Sequence, residues 1–186
     1  MRTSKPNKPG SRLFVALDPP GPVALEVAEW ARRVAGTDRR MRPVPQRFCH
    51  ITMAFIGESS ESSIAPISEA VEDSASAVTG LSLAAPVWLP RRRPRALALD
   101  IRNQTSELAA CQSRLATALD AAIGWQSRHH FRPHLTALRL GRGIDPEDCP
   151  LPVSPAAEFS GEALTLYRSR LLAEGAQYEA LFTVGL

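Results

Sequence analysis

Two six-residue stretches constrain the fold of this chain more than any other feature. One reads His50-Ile51-Thr52-Met53-Ala54-Phe55, the other His134-Leu135-Thr136-Ala137-Leu138-Arg139. Each sets a histidine and a threonine two residues apart in an apolar setting. In a strand, residues i and i+2 share a face and the residue between them takes the other. The pattern predicts two half-buried strands, each showing an imidazole and a hydroxyl on one side and Ile51 or Leu135 to a core. Only 4 histidines and 9 threonines occur in 186 residues, so the repeat is an uncommon pairing. The other two histidines, His129 and His130, stand just before the second stretch.

The rest of the chain supplies strands and helices for these two to join. Arg12 to Leu17 predicts a strand, broken at Asp18 to Pro22. Val23, Val27, Trp30, Ala31 and Val34 share one side of a helix that Gly36 stops. Phe48 to Ile56 reads as a strand ended by Gly57 to Ser60. A helix opened by Ser62 or Ser63 runs through Ile64, Ile67, Val71 and Val78 to Gly80. Leu81 to Leu89 and Ala96 to Ile101 are strands around the loop Pro90 to Pro94, and Thr105 to Ile123 is a helix closed by Gly124. His134 to Leu140 is a strand. Phe159 to Leu172 and Tyr178 to Val184 close the chain as a strand pair. Each histidine stretch ends a strand–helix–strand passage. The fold class is α+β: two similar lobes with antiparallel sheets lining a central groove and helices on the outside.

Composition narrows the setting. A length of 186 residues with 44% hydrophobic and 22% charged content suits one globular domain with a real core. No apolar run approaches the roughly 18 residues that span a bilayer, so no membrane partner is expected. Residues 1–10 are polar, carry Arg2, Lys5 and Lys8, and lack the apolar stretch of a secretory signal. They are expected to be a disordered tail, with 11–186 as a single bilobal domain. Cys49, Cys111 and Cys149 are odd in number and widely spaced, which fits a reduced, cytoplasmic protein whose cysteines act as small buried hydrophobes. Net charge is +3, carried by 20 Arg and 2 Lys. The arginine fork matches phosphate oxygens, so the excess fits an anionic ligand such as RNA. GC-rich coding gives the same bias.

If the two strands lie side by side, two imidazoles and two hydroxyls line one groove. Histidine has both protonation states available near neutrality. One ring can take a proton from water while the other gives one to a leaving oxygen, with the threonines holding a phosphate between them. No Asp, Glu or Cys stands at ligand spacing beside either histidine, so no metal site and no cofactor are expected. Phe48, two residues before His50, is a candidate for stacking on a base, and Arg91, Arg92, Arg93 and Arg132 are candidate RNA contacts. Core packing for Phe48 and a solvated loop for the arginines are the alternatives.

The two histidine stretches resemble those of the RNA 2′,3′-cyclic phosphodiesterases of the two-histidine phosphoesterase superfamily, also called 2′-5′ RNA ligases. The resemblance extends over Arg12-Leu13-Phe14-Val15-Ala16-Leu17, Arg42-Pro43-Val44, Phe131-Arg132-Pro133-His134 and Leu166-Tyr167-Arg168-Ser169-Arg170-Leu171, then Gly175 and Tyr178. It implies two lobes around a central groove and metal-free hydrolysis of a terminal 2′,3′-cyclic phosphate to a 2′-phosphate. It also implies His50 as proton donor, His134 as proton acceptor, and Thr52, Thr136 and Arg139 as phosphate ligands. The chain departs at His129, where many members carry Arg, and at Met53 and Ala137, where Leu is common. The implied partner is RNA with cyclic-phosphate ends, or a related nucleotide, bound by a monomer. A binding module without turnover, an enzyme for small cyclic phosphates, and ligation as a reverse reaction are the other readings.

Overall fold

The computed structural model describes residues 11–172 and 175–186. The expected tail, residues 1–10, lies outside them. Nine strands form one curled, wholly antiparallel sheet among the described residues. In chain order they are β1 (Ser11–Asp18), β2 (Met41–Pro43), β3 (Ile51–Ser59), β4 (Leu81–Leu89), β5 (Ala96–Asn103), β6 (His134–Leu140), β7 (Glu158–Phe159), β8 (Ala163–Leu172) and β9 (Gly175–Gly185). The helices are α1 (Gly21–Ala35), α2 (Ile64–Ser74) and α3 (Glu107–Ile123). The strand order is β7-β4-β5-β6-β3-β1-β8-β9, with β2 also paired to β6.

One backbone register joins two lobes. β3 and β6 pair only at Ile51↔Leu135. On one side stand β3, β1, β8 and β9; on the other stand β6, β5, β4, β7 and β2. The expected α+β architecture with two lobes is therefore present, but the lobes are not the two halves of the chain. The last strands, β8 and β9, complete the first lobe by pairing with β1. The helices cross over as well: α1 packs on β2 and β6, while α2 and α3 pack on each other and against β3, β8 and β9.

One face of the sheet is dry. Leu13, Val15, Leu17, Ile51, Leu97, Leu99, Leu135, Leu164 and Leu166 meet the apolar stripes of the helices in a single cluster. At roughly 25 cal/mol per Å² of apolar area removed from water, this burial is the main stabilising term. Trp30 anchors α1 with its ring fully buried, and its indole N–H donates to the Pro152 carbonyl at 3.1 Å. Gly124 closes α3 in the left-handed region at φ 66°, the conformation glycine adopts most cheaply. Cys49 and Cys111 are buried and Cys149 partly so, all three with free thiols.

Several boundaries differ from the sequence reading. α2 stops at Ser74, whose hydroxyl turns back to the Ala70 carbonyl at 2.6 Å. Val78 keeps helical spacing from Val71, yet it reaches the core from an extended segment. Residues 46–48 form a 3-10 turn, and β3 runs on through Ser59 because Glu58 and Ser59 pair with Arg12 and Ser11. Phe159 belongs to β7 on the far lobe rather than to the closing strand pair. The chain returns to the first lobe at Gly161, where a Cβ would lie 2.7 Å from the buried Leu17 side chain. No helix among the described residues is long and apolar enough to cross a membrane.

Candidate functional site

The residue between His and Thr in one stretch pairs with its counterpart in the other. Ile51 and Leu135 are fully buried and face the core. Their flanking residues therefore face the opposite, open side. In an antiparallel ladder this register sets His50 beside Thr136 and Thr52 beside His134. The histidines are then diagonal neighbours, with Cα atoms about 7–8 Å apart by sheet geometry. This placement brings both imidazoles and both hydroxyls to one patch of the open side.

The rings are fixed in the same way. Nδ1 of His50 lies 2.8 Å from the Phe48 carbonyl, and Nδ1 of His134 lies 2.8 Å from the Arg132 carbonyl. A carbonyl only accepts, so each Nδ1 carries the hydrogen and each Nε2 is left for chemistry. A neutral ring held this way is a base at Nε2, and a protonated one is an acid at the same atom.

Two bulges set the rest of the face. Val15 pairs with Ala54 and Ala16 with Thr52, so Met53 is an extra residue in β3. Leu97 pairs with Leu138 and Ala98 with Thr136, so Ala137 is extra in β6. A bulge shifts the alternation by one. Strict alternation from His134 would turn Arg139 toward the core; the bulge leaves Leu138 buried and Arg139 exposed on the side of His134 and Thr136. Ala16 and Ala98 pair across the strands with the two threonines.

The two histidines differ in surroundings. His50 packs against Phe14, with centroids 4.9 Å apart, and against the edge of Tyr178 at 5.3 Å. Burial of the ring, reinforced by the charges of Arg139 and His134 and opposed by the Phe48 carbonyl, lowers its pKa to about 4. In the free protein His50 is thus neutral near pH 7. Between about 4 and 6.5 the unfolded chain holds the proton that the folded chain does not, so stability falls as pH falls through that window. His50→Gln is expected to flatten this part of the profile. Urea midpoints at both ends of the window test it, and an equal acid loss in the variant would show that His50 is not the group responsible.

The remaining candidates are dispersed. Phe48 sits in the 3-10 turn with Tyr178 at 5.0 Å and the Arg47 guanidinium 4.6 Å over its ring, and its carbonyl orients His50. Arg132 forms a two-pronged ion pair with Asp100 at 2.9 and 3.2 Å, and its carbonyl orients His134. Arg91, Arg92 and Arg93 are exposed in the β4–β5 loop, at the Arg139 end of β6. A cavity of about 1100 Å³ opens beside Thr52 and His134 and is also lined by His129 and His130.

A second repeat escaped the sequence reading. Ala16-Leu17-Asp18 in β1 and Ala98-Leu99-Asp100 in β5 flank the two motif strands in matching registers. Asp100 pairs with His134, and Asp18 is the equivalent position beside His50. Asp18 accepts hydrogen bonds from Thr165 (2.6 Å) and Tyr167 (3.0 Å), while burial raises its pKa. It holds Tyr167 stacked on Phe14, 5.2 Å away, in the wall behind His50. The signal in the sequence was the shared Ala-Leu-Asp, too short to weigh before the registers aligned it.

Two lobes that meet at paired histidine strands define a two-histidine phosphoesterase fold. The chain belongs to the 2′-5′ RNA ligase superfamily, whose family model matches residues 19–171. Escherichia coli LigT complexed with 3′-AMP is similar over 96% of this chain and 99% of its own, at 26% identity and a TM-score of 0.74. A structure described as a phosphoesterase covers the same shares at 26% identity and a TM-score of 0.75. TT0787 of Thermus thermophilus shares the fold at 23% identity and a TM-score of 0.74, over 94% of this chain and 97% of its own. No curated protein sequence matches the chain.

Proposed function

We propose that this protein hydrolyses the terminal 2′,3′-cyclic phosphate of RNA to a 2′-phosphomonoester, without a metal. The observation that carries this reading is the Ile51↔Leu135 register with its two carbonyl-pinned imidazoles. That LigT is similar to this chain and forms a complex with 3′-AMP supports a nucleotide as ligand.

The phosphate lies between Thr52 and Thr136, with Arg139 facing its oxygens. Nε2 of His134 takes a proton from water as the water oxygen attacks phosphorus. The bond from phosphorus to the 3′ oxygen breaks, and Nε2–H of His50 protonates that oxygen. The products are a 2′-phosphate and a free 3′-hydroxyl, and the proton taken by His134 matches the one given by His50. A donor must first be protonated, and burial of the ring keeps His50 neutral near pH 7. The anionic phosphate supplies the missing partner: an opposite charge within about 4–6 Å favours the charged ring. Substrate binding therefore carries a proton in with it.

Product analysis tests the reading. In excess EDTA, an oligoribonucleotide ending in a 2′,3′-cyclic phosphate should give the 2′-phosphate alone. A 3′-phosphate product, or activity only with added metal, would overturn it.

A further inference from the structure

β5 occupies one edge of β6 from His134 to Arg139, so β2 shares the other edge with β3. Between β2 and β3 the segment 45–49 is looped out of that edge. Val44 still donates its N–H to the Ala137 carbonyl at 2.8 Å, and Ile51 then takes up the pairing with Leu135. The excursion brings a third pair of side chains into line with the motif residues. Along the junction, Thr52 and His134 come first on the open face, His50 and Thr136 second, and Arg42 and Arg139 third. Met41 and Leu140, the next pair, are buried on the core side. Alternation therefore puts both arginines on the open side, and both are exposed.

Directly opposed side chains in an antiparallel pair have Cβ atoms about 4.5–5.5 Å apart, and like charges so placed destabilise the sheet. Neither Arg42 nor Arg139 forms an ion pair among the described residues. Asp38, the carboxylate nearest to Arg42 along the chain, is taken by Arg40 at 2.7 and 3.1 Å. The other end of the junction is different, because Arg132 beside His134 is neutralised by Asp100. The charge of Arg139 also reaches the neighbouring pair, where it contributes to the lowered pKa of His50.

We propose that Arg42 is a phosphate-binding residue, which with Arg139 closes a two-guanidinium clamp on the terminal phosphate at the His50 end of the site. This rests on the cyclic-phosphate reading and adds a second cation to it. Each guanidinium presents a planar fork of N–H donors that matches phosphate oxygens. An anion between the two replaces the repulsion of the free pair with two charge-assisted contacts. The clamp stands at one end of an otherwise symmetric set of His and Thr, so it draws the phosphate charge toward His50 and Thr136.

Inorganic phosphate is the first probe, read as the rise in melting temperature over sodium chloride of equal ionic strength. Wild type should be stabilised by phosphate. Arg42→Gln should lose most of that rise, yet melt no lower than wild type in chloride, because the substitution relieves the like-charge pair. A variant that melts lower in chloride would give Arg42 a structural role and overturn the clamp. An undiminished phosphate rise in the variant, or no rise in wild type, overturns it too. On a cyclic-phosphate RNA end, Arg42→Gln should lower kcat/KM about tenfold to hundredfold, the loss of a hydrogen bond to a charged group. Arg42→Lys should restore part of that loss. The slope of log kcat/KM against log salt should become shallower by about one in Arg42→Gln. Wild-type kcat/KM in Arg42→Gln overturns the clamp and leaves the cyclic-phosphate reading intact. A phosphate rise that depends on Arg42, in a protein that opens no cyclic phosphate, supports the clamp and overturns that reading instead.

Discussion

His50→Ala and His134→Ala are each expected to lower kcat on a cyclic-phosphate RNA end by about 10²–10⁴-fold, the usual contribution of one positioned proton transfer. KM should move far less, because Thr52, Thr136 and Arg139 remain to hold the phosphate. The double variant should be little worse than the weaker single one, since the two transfers serve one displacement and such losses do not add. The pH profiles separate the two roles. Loss of the donor should remove the alkaline limb, and loss of the acceptor the acidic limb. The kcat/KM profile reports the free enzyme, in which His50 has a pKa of about 4, whereas kcat reports the complex, in which the phosphate raises it. The His50 limb should therefore lie at lower pH in kcat/KM than in kcat. A single variant with near-normal kcat would exclude paired acid–base catalysis, and coincident limbs would exclude proton uptake on binding.

Leu135→Ala should cost about 2–5 kcal/mol of stability, from lost burial and the cavity left behind. That is a large part of the roughly 5–15 kcal/mol that holds an ordinary domain folded. Leu135 is fully buried and pairs with Ile51 on one side and Leu99 on the other. It forms half of the register that joins the lobes, so its loss should also loosen the spacing of the two imidazoles. Displacements near 1 Å can lower rates about 100-fold. Leu166→Ala is the control: equally buried, but paired with Val15 and away from the junction. It should lose similar stability with kcat unchanged when measured well below its melting temperature. If Leu135→Ala kept full kcat under the same conditions, the junction would not set the catalytic spacing.

Local signals in the sequence were reliable where a single element decided the outcome. The span of β4, the glycine end of α3 and the shared face of His50 and Thr52 follow from spacing and residue type alone. Val78 shows the limit: apolar spacing is the same whether a helix continues or an extended segment dips into the core. Arg132 shows another. Its charge was legible, but its ion pair with Asp100 depends on a neighbouring strand.

The sequence by itself determined the two strands, their inward Ile51 and Leu135, and the outward His and Thr, because strand alternation is a property of consecutive residues. Only the tertiary structure decided that Ile51 meets Leu135, that β8 and β9 complete the first lobe, and that bulges at Met53 and Ala137 turn Phe55 and Arg139 to the open face. Those outcomes depend on cross-strand register. Register is fixed by packing between segments far apart in the chain, and no window of neighbouring residues contains it.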